Sequence, residues 1–153
     1  MNVTDRAKFT YTIYIAASPG KVWEALTTAA FTEQYWAGRH IVSAWKPGAS
    51  IQMLADGNVD WEGEVITITP PRLLAFTFLA PRFKPGATEP PTRVTLELVP
   101  QEAAVRLTLT HEGFEPESKA FEAICLGWPA ILSSLKSLVE TGKGIDFPSW
   151  RGK

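Results

Sequence analysis

The chain has 153 residues, of which 45% are hydrophobic and 20% charged, which suits one soluble domain able to bury about 70% of its unfolded surface. Its 15 Lys and Arg against 16 Asp and Glu exclude the basic footprint of a nucleic-acid-binding protein. No stretch approaches the roughly 18 unbroken apolar residues of a membrane span, and the first residues lack the apolar core of a signal peptide. We therefore expect a cytoplasmic protein without nucleic-acid or membrane contacts.

The N-terminal part predicts one strand followed by two short helices. Residues 8–15 alternate apolar and polar side chains, which is the period of a strand with one buried face. Ser18 suits the N-cap of a helix that begins at Pro19, where the missing N–H costs nothing. A second short helix is expected to end near Gly38.

The segment from residue 40 to residue 111 predicts an antiparallel meander. Turn signals rich in Pro and Gly separate short runs with period-two alternation. The last two runs place aliphatic residues on one face and polar residues on the other, so one face of the sheet needs a cover. Residues 80–92 carry four prolines and predict a semi-rigid flap, or an ordinary surface loop.

The C-terminal part predicts a long helix that covers the sheet. Apolar residues recur at spacings of three and four between Pro116 and Gly142. A helix of that length, roughly 25 residues, would span about 37 Å. Gly127 and Pro129 weaken the helix beside Trp128, so we expect a bend there. The space between the bent helix and the sheet is then either a cavity or filled by large side chains.

The segments IAASPGKVWEALTT, PPRLLAFTF, TRVTLELVP, RLTLTHEGF and GWPAILSSLKSL resemble the group named after the activator of the heat-shock chaperone ATPase, the AHSA group. That group is part of the START and birch-pollen-allergen (SRPBCC) superfamily. The likeness covers residues 9 to about 141. It implies an α+β helix-grip fold, in which a curved antiparallel seven-stranded sheet wraps around a long C-terminal helix, with two short helices after strand one. We expect a single domain over residues 1–153, with a core at about 8–142 and a short tail at 143–153.

The resemblance also implies candidate functions. Many stand-alone members bind small apolar or amphiphilic molecules under the long helix, which favours a small-molecule binding or carrier protein, linked to stress or metabolism. The first alternative is a cochaperone-like interaction module that regulates a heat-shock chaperone ATPase. A second alternative is a cyclase- or aromatase-like enzyme. The expected partner is an apolar small molecule, with a chaperone or a second copy of the chain as further candidates.

The sequence contains no recognisable catalytic or metal-binding motif. The two histidines, His40 and His111, are far apart and have no cysteine or carboxylate at metal-ligand spacing. Glu62 and Glu64 share one face of a strand, which we expect to be solvated. Cys125 lies on the apolar stripe, where a thiol usually behaves as a small hydrophobe. We therefore expect no enzyme activity, no metal and no cofactor.

Two polar side chains, Tyr11 and His111, continue the inward-facing pattern of neighbouring strands. Each either hydrogen-bonds backbone or buried water, or orients a ligand. The large apolar residues near the helix either form a plain core or line a pocket for a flat or elongated apolar ligand with one polar end. The candidate ligand-binding residues are Tyr11, Trp36, Met53, Trp61, Phe76, Phe78, His111, Phe121, Ile124, Cys125, Trp128 and Leu132.

Overall fold

A computed structural model of the chain describes residues 7–80, 91–115 and 117–150. The predicted flap lies almost entirely outside these residues. In chain order, the elements are β1 (Ala7–Ile15), α1 (Pro19–Thr27), α2 (Ala29–Tyr35), β2 (His40–Ser43), β3 (Ser50–Ala55), β4 (Asn58–Thr69), β5 (Leu73–Phe78), β6 (Thr92–Gln101), β7 (Ala104–Phe114) and α3 (Lys119–Thr141). A single turn of 3-10 helix follows at Pro148–Trp150.

The seven strands form one antiparallel sheet. Their order is β1-β7-β6-β5-β4-β3-β2, so the first strand pairs with the last one and the remaining strands follow as a meander. In β7, Val105, Leu107 and Leu109 are fully buried, as their alternation predicts. The predicted α+β helix-grip architecture is confirmed.

Local sequence signals explain where several elements begin and turn. The Ser18 hydroxyl accepts a hydrogen bond from the Lys21 backbone N–H at 3.2 Å, and Pro19 is the first residue of α1. Between β3 and β4, Asp56 and Gly57 both have positive φ, at 51° and 82°. Two consecutive residues of this kind are typical of the type I′ turn, which matches the twist of a two-residue hairpin.

Helix α3 begins later than the sequence predicts. Its N-cap is Ser118, whose hydroxyl accepts from the Phe121 backbone N–H at 3.2 Å, whereas the expected start at Pro116 lies outside the described residues. The C-terminal end agrees with the prediction, because Gly142 adopts the left-handed conformation with φ 88°.

The helix is continuous through Gly127 and Pro129, and the expected bend stays a prediction. By length and composition alone, α3 also meets the criterion for a membrane-spanning helix. The core helices of soluble proteins meet the same criterion. In this fold, Trp128, Leu132 and Leu135 of α3 belong to the buried hydrophobic core.

Polar contacts attach the end of α3 to the end of β1. The Glu140 carboxylate accepts from the Ala16 backbone N–H at 2.6 Å and from Lys136 Nζ at 2.7 Å. The Ala16 N–H and then Lys136 lower the pKa of Glu140. Lys136 Nζ also donates to the Tyr14 carbonyl at 2.7 Å. These contacts hold the helix across the sheet.

The residues after α3, which the sequence predicts as a short tail, pack back onto the helix. We call residues 143–150 the C-terminal segment. The buried Ser134 hydroxyl donates to the Ile145 carbonyl at 3.2 Å and accepts from the Ile145 N–H at 2.9 Å. Phe147 and Trp150 stack with ring centroids 4.6 Å apart. The segment therefore forms part of the folded domain.

Candidate functional site

Three neighbouring voids that share lining residues lie beside the middle of α3. The outer cleft has a volume of about 330 Å³. Its lining residues are Trp36, Arg39, Asp60, Ala123, Leu126, Gly127, Ile131 and Trp150. The inner pocket, of about 70 Å³, shares Trp36, Asp60, Ala123, Gly127 and Ile131 with the outer cleft. The core void, of about 20 Å³, lies deepest, and Trp36 and Ile131 line all three spaces.

The structure brings seven of the twelve candidate ligand-binding residues together around the two inner voids. Trp36, Trp61 and Trp128 line both the inner pocket and the core void. The remaining four line one void each and are Phe76, Phe78, Ile124 and Leu132. The aromatic part of the predicted site is therefore a true cluster.

The expected space between Trp128, Leu132 and the sheet is nevertheless almost filled. Trp36 and Trp128 meet edge to face with ring centroids 5.4 Å apart, and Trp61 stacks on Phe76 at 5.3 Å. Because these rings occupy the region, the void beside Leu132 is only about 20 Å³, well below the ~300 Å³ of ordinary ligand sites. Of these three voids, the outer cleft is the one of ligand size.

The Trp61 indole is deeply buried, with 3% of its surface exposed. It packs against Phe76 and Phe78 and lines the inner pocket. Its Nε1–H has no hydrogen-bond partner, and it is the only buried side-chain polar atom in this condition among residues 7–80, 91–115 and 117–150. An unsatisfied buried donor costs about 1–3 kcal/mol. The buried indole therefore carries an unused hydrogen-bond donor.

His111 is fully buried and both of its ring nitrogens are engaged. Trp128 Nε1–H donates to His111 Nδ1 at 3.0 Å, and an indole N–H can only donate, so the ring proton is on Nε2. His111 Nε2–H then donates to Thr92 Oγ1 at 2.8 Å, and the Thr92 hydroxyl donates to the Phe78 carbonyl at 3.0 Å. Burial lowers the pKa of His111 to about 3. The neutral imidazole positions Trp128.

The other four candidate residues lie outside the three voids. Tyr11 is half-buried and stacks on Phe9, 6.3 Å away. Phe121 packs at the edge of the core, and Met53 lies within it. Cys125 is half-buried, and desolvation raises the pKa of its thiol. Neither Tyr11 nor His111 lines any of the three voids, and a ligand-orienting role for either stays a prediction.

The carboxylates of β4 lie where the alternation predicts. Glu64 is exposed, and Glu62 is half-buried and accepts from the Gln52 side chain at 3.4 Å. In the part of the chain that the structure describes, no group of three or more His, Cys, Asp or Glu side chains is arranged to hold a metal ion.

Sequence reasoning missed a buried ion pair at the floor of the outer cleft. Arg39 Nε donates to Asp60 Oδ2 at 3.0 Å, and each side chain is only 6% exposed. Arg39 Nη2 also donates to the Trp150 carbonyl at 3.5 Å, which ties the C-terminal segment to the cleft. The pair supplies polar groups to a site whose other walls are mainly apolar.

A β-bulge explains why this pair was missed. Met53 lies opposite Trp61 and Leu54 opposite Val59, so Asp60 is the extra residue of β4. In a regular strand, consecutive side chains point to opposite faces, but a bulge re-aims one of them. Asp60 and Trp61 can therefore line the same inner pocket. Period-two alternation carries no signal for such a bulge.

Comparison with solved structures agrees with the fold. The Aha1 dimer of Colwellia psychrerythraea superposes with a TM-score of 0.75 and 23% identity, over 90% of this chain and 99% of that chain. An HSP90 activator from Plasmodium falciparum gives a TM-score of 0.73 and 20% identity, over 89% of this chain and 96% of that chain. The ChR145 protein of Cytophaga hutchinsonii gives a TM-score of 0.74 and 26% identity, over 93% of this chain and 98% of that chain.

Among curated proteins, none matches this chain significantly. Residues 16–140 match the sequence profile of a family described as activator of Hsp90 ATPase homolog 1-like protein. The match covers most of the chain and includes all the elements that surround the cleft except the C-terminal segment. The chain therefore belongs to the activator of Hsp90 ATPase homolog 1-like family, the AHSA group of the SRPBCC superfamily.

Proposed function

We propose that this protein binds a small apolar or amphiphilic molecule in the outer cleft, with one end of the molecule entering the inner pocket. The observation that carries the proposal is the volume of the outer cleft, about 330 Å³, which reaches the lower range of ordinary ligand sites. The inner pocket adjoins it, and Trp36 and Ile131 line both.

The walls suit an apolar ligand with limited polar character. Trp36 lines all three voids, and Leu126, which is 80% exposed, and Trp150 also line the outer cleft. Gly127 lines the outer cleft and the inner pocket, and no atom lies within 4 Å of where its Cβ would be. Arg39 and Asp60 supply the few polar groups that orient a bound molecule.

We favour binding over catalysis. A general acid or base needs a free proton-transfer group facing the substrate. The buried imidazole of His111 is committed to Trp128 and Thr92 and stays neutral. Desolvation keeps the Cys125 thiol protonated, which is the unreactive form. A cyclase-like reaction would therefore need groups other than these.

A pair of glycine variants tests the proposal. Gly127→Phe should fill the outer cleft, whereas Gly20→Phe adds the same side chain to α1 at another helical position with open space around it. A panel of flavonoids, fatty acids, sterols and polyketide-like aromatics is screened by thermal unfolding. A ligand at about 100 times its Kd should add roughly 2.7 kcal/mol, a rise in Tm of about 5–10 °C.

The wild type and Gly20→Phe should show this rise, and Gly127→Phe should not. If no compound stabilises the wild type, or if Gly127→Phe keeps the full response, the proposed binding site is wrong. Mass spectrometry of compounds that co-purify with the wild type, compared with Gly127→Phe, provides an independent test with the natural ligand.

A chaperone partner is the second candidate, favoured by the family to which the chain belongs. A stable complex buries on the order of 1,200 Å² or more. Stoichiometric recovery of the host's Hsp90 in a pull-down, together with stimulation of its ATPase, would place this function ahead of ligand binding. Whether the protein instead associates with a second copy of itself is tested by size-exclusion chromatography with light scattering.

A further inference from the structure

Arg39 is the one cation among the described residues that line the outer cleft, and its position is fixed by several hydrogen bonds. The side chain is only 6% exposed, and its Nε donates to Asp60 at 3.0 Å. The backbone is held as well, because the Thr32 hydroxyl donates to the Arg39 carbonyl at 2.9 Å and the Arg39 N–H donates to the Trp36 carbonyl at 2.9 Å. A group that is already fixed loses little conformational entropy when it binds a ligand.

The outer nitrogens of the Arg39 guanidinium have unused donors. An arginine carries five N–H donors, two of them on Nη1. Nη2 donates to the Trp150 carbonyl at 3.5 Å, which is long for a hydrogen bond. Within the described part of the chain, Nη1 makes no hydrogen bond, and it does not belong with Trp61 Nε1 among the buried atoms without a partner. Nη1 is therefore accessible from outside the protein.

The accessible part of Arg39 is at the outer cleft. Arg39 lines this cleft, and so does Trp150, whose carbonyl is next to Nη2. Arg39 does not line the inner pocket, whose walls include Trp36, Phe78 and Ile124. A ligand with its polar group at Nη1 therefore keeps that group in the outer cleft and directs its apolar end into the inner pocket.

The two charged groups of the cleft differ in what they offer a ligand. The Asp60 carboxylate is engaged by Arg39 Nε at 3.0 Å, and its side chain is 6% exposed. Nη1 is a separate nitrogen of the guanidinium, so an acceptor that binds there leaves the bond to Asp60 in place. The cleft therefore offers a hydrogen-bond donor to a ligand acceptor in preference to an anchor for a cation.

Among oxygen acceptors, a carboxylate forms the strongest hydrogen bonds with a guanidinium. The apolar side chains of Trp36 and Ile131 also line the cleft, and an apolar environment strengthens such bonds. Because the outer cleft is open to solvent, the remaining lone pairs of a bound carboxylate stay hydrated.

We propose that the outer cleft selects amphiphiles with a single carboxylate, which Arg39 Nη1 binds while the apolar end of the molecule enters the inner pocket. This inference rests on the proposed binding function and specifies its ligand class.

Three probes with the same aromatic body and different head groups test it. Naphthalene-2-carboxylate is an anion, naphthalene-2-carboxamide is neutral and keeps an oxygen acceptor, and 2-naphthylmethylammonium is a cation with donors only. By calorimetry at neutral pH, the wild type should bind the carboxylate about tenfold more tightly than the carboxamide, and the ammonium probe most weakly. Added salt should reduce the advantage of the carboxylate.

A pair of arginine variants tests the role of Arg39. Arg39→Lys keeps a cation beside Asp60 but removes Nη1. In this variant, the advantage of the carboxylate over the carboxamide should fall from about tenfold to about twofold or less. Arg93→Lys makes the same change at an exposed position of β6 and should keep the wild-type ranking. Thermal unfolding checks that each variant is folded.

Nuclear magnetic resonance of the arginine side chains gives a readout on the intact wild type, so the test does not depend on the folding of a variant. The carboxylate probe should move the Nη–H protons of Arg39 downfield. The ammonium probe has the same ring and should not, which separates the hydrogen bond from a ring-current effect. The exposed guanidinium of Arg93 is the internal reference.

The outcomes separate the inference from the function on which it rests. If the three probes bind equally well, or if the carboxamide or the ammonium probe binds most tightly, the ligand class is wrong while the binding site stands. If Arg39→Lys keeps the full preference for the carboxylate, or the Arg39 resonances do not move, another group binds the carboxylate and the inference is overturned. If neither the probes nor any compound of the panel binds, the proposed function itself has failed.

Discussion

At the scale of single residues, the most informative side chain is His111. Its neutral imidazole links Trp128 of α3 to Thr92 of β6 through two hydrogen bonds, and Thr92 passes the connection on to Phe78 of β5. One buried ring therefore joins the covering helix to two strands, at the edge of the aromatic cluster that lines the inner pocket.

This arrangement predicts a specific acid response. Because the pKa of His111 falls from 6.5 in the unfolded chain to about 3 in the folded protein, the unfolded state binds more protons between these values. Stability contributed by His111 is complete above about pH 6.5 and is lost as the pH falls towards 3. The slope should be about 1.4 kcal/mol per pH unit within that window.

Urea unfolding between pH 4 and pH 7 measures the slope in the wild type and in His111→Gln. The variant should be less stable at pH 7 by about 1–3 kcal/mol, because a flexible amide replaces the buried ring that bonds both Trp128 and Thr92, and its acid slope should be shallower. His40→Gln, which removes the exposed imidazole and leaves the buried ring in place, is the matched control. Equal slopes in the wild type and His111→Gln would contradict the assignment.

At the scale of elements, two glycines have opposite roles. Gly127 lies in α3 with no atom within 4 Å of its potential Cβ. Gly63 lies in β4, where a Cβ would overlap the carbonyl oxygen of Thr77. The first glycine keeps a cleft open, and the second permits the close approach of two strands.

Alanine substitution should separate the two roles. Gly127→Ala should raise the free energy of unfolding by about 0.5–1 kcal/mol, because Ala is the better helix former and its methyl group meets no neighbour. Gly63→Ala should lower it by about 2–3 kcal/mol, because the backbone of β5 must move. Chemical denaturation of both variants checks this, and a destabilising Gly127→Ala would mean that the helix is not regular at this point.

At the scale of the whole molecule, the C-terminal segment closes one side of the cleft. It is held by the two hydrogen bonds between Ser134 and Ile145 and by the contact from Arg39 to Trp150. Since Trp150 lines the outer cleft, the attachment of this segment and the shape of the ligand site are coupled.

Ser134→Ala should therefore affect both stability and binding. Loss of the two hydrogen bonds should lower the free energy of unfolding by about 1–2 kcal/mol and speed trypsin cleavage after Lys143. Any ligand that stabilises the wild type should bind more weakly. Ser133→Ala, the neighbouring half-buried position, is the matched control. If cleavage after Lys143 is unchanged, the segment is held by other contacts.

Much of the fold was predictable because its signals are local. Alternation marked the strands of the meander, Ser18 and Pro19 marked the start of α1, and spacings of three and four marked α3 up to Gly142. Each of these signals depends on residues within one or two turns of the chain, or on neighbouring strand positions. The same patterns identified the aromatic residues that form the cluster.

The sequence by itself determined the order and type of the elements and which face of each is apolar. These features follow from the spacing of apolar side chains along the chain and from local capping residues. Only the tertiary structure decided how much space remained between them. The rings of Trp36, Trp61 and Trp128 fill the expected cavity, and the bulge at Asp60 brings in Arg39. The volume of a cavity and the register of paired strands depend on contacts between residues far apart in the chain. No local sequence pattern encodes those contacts.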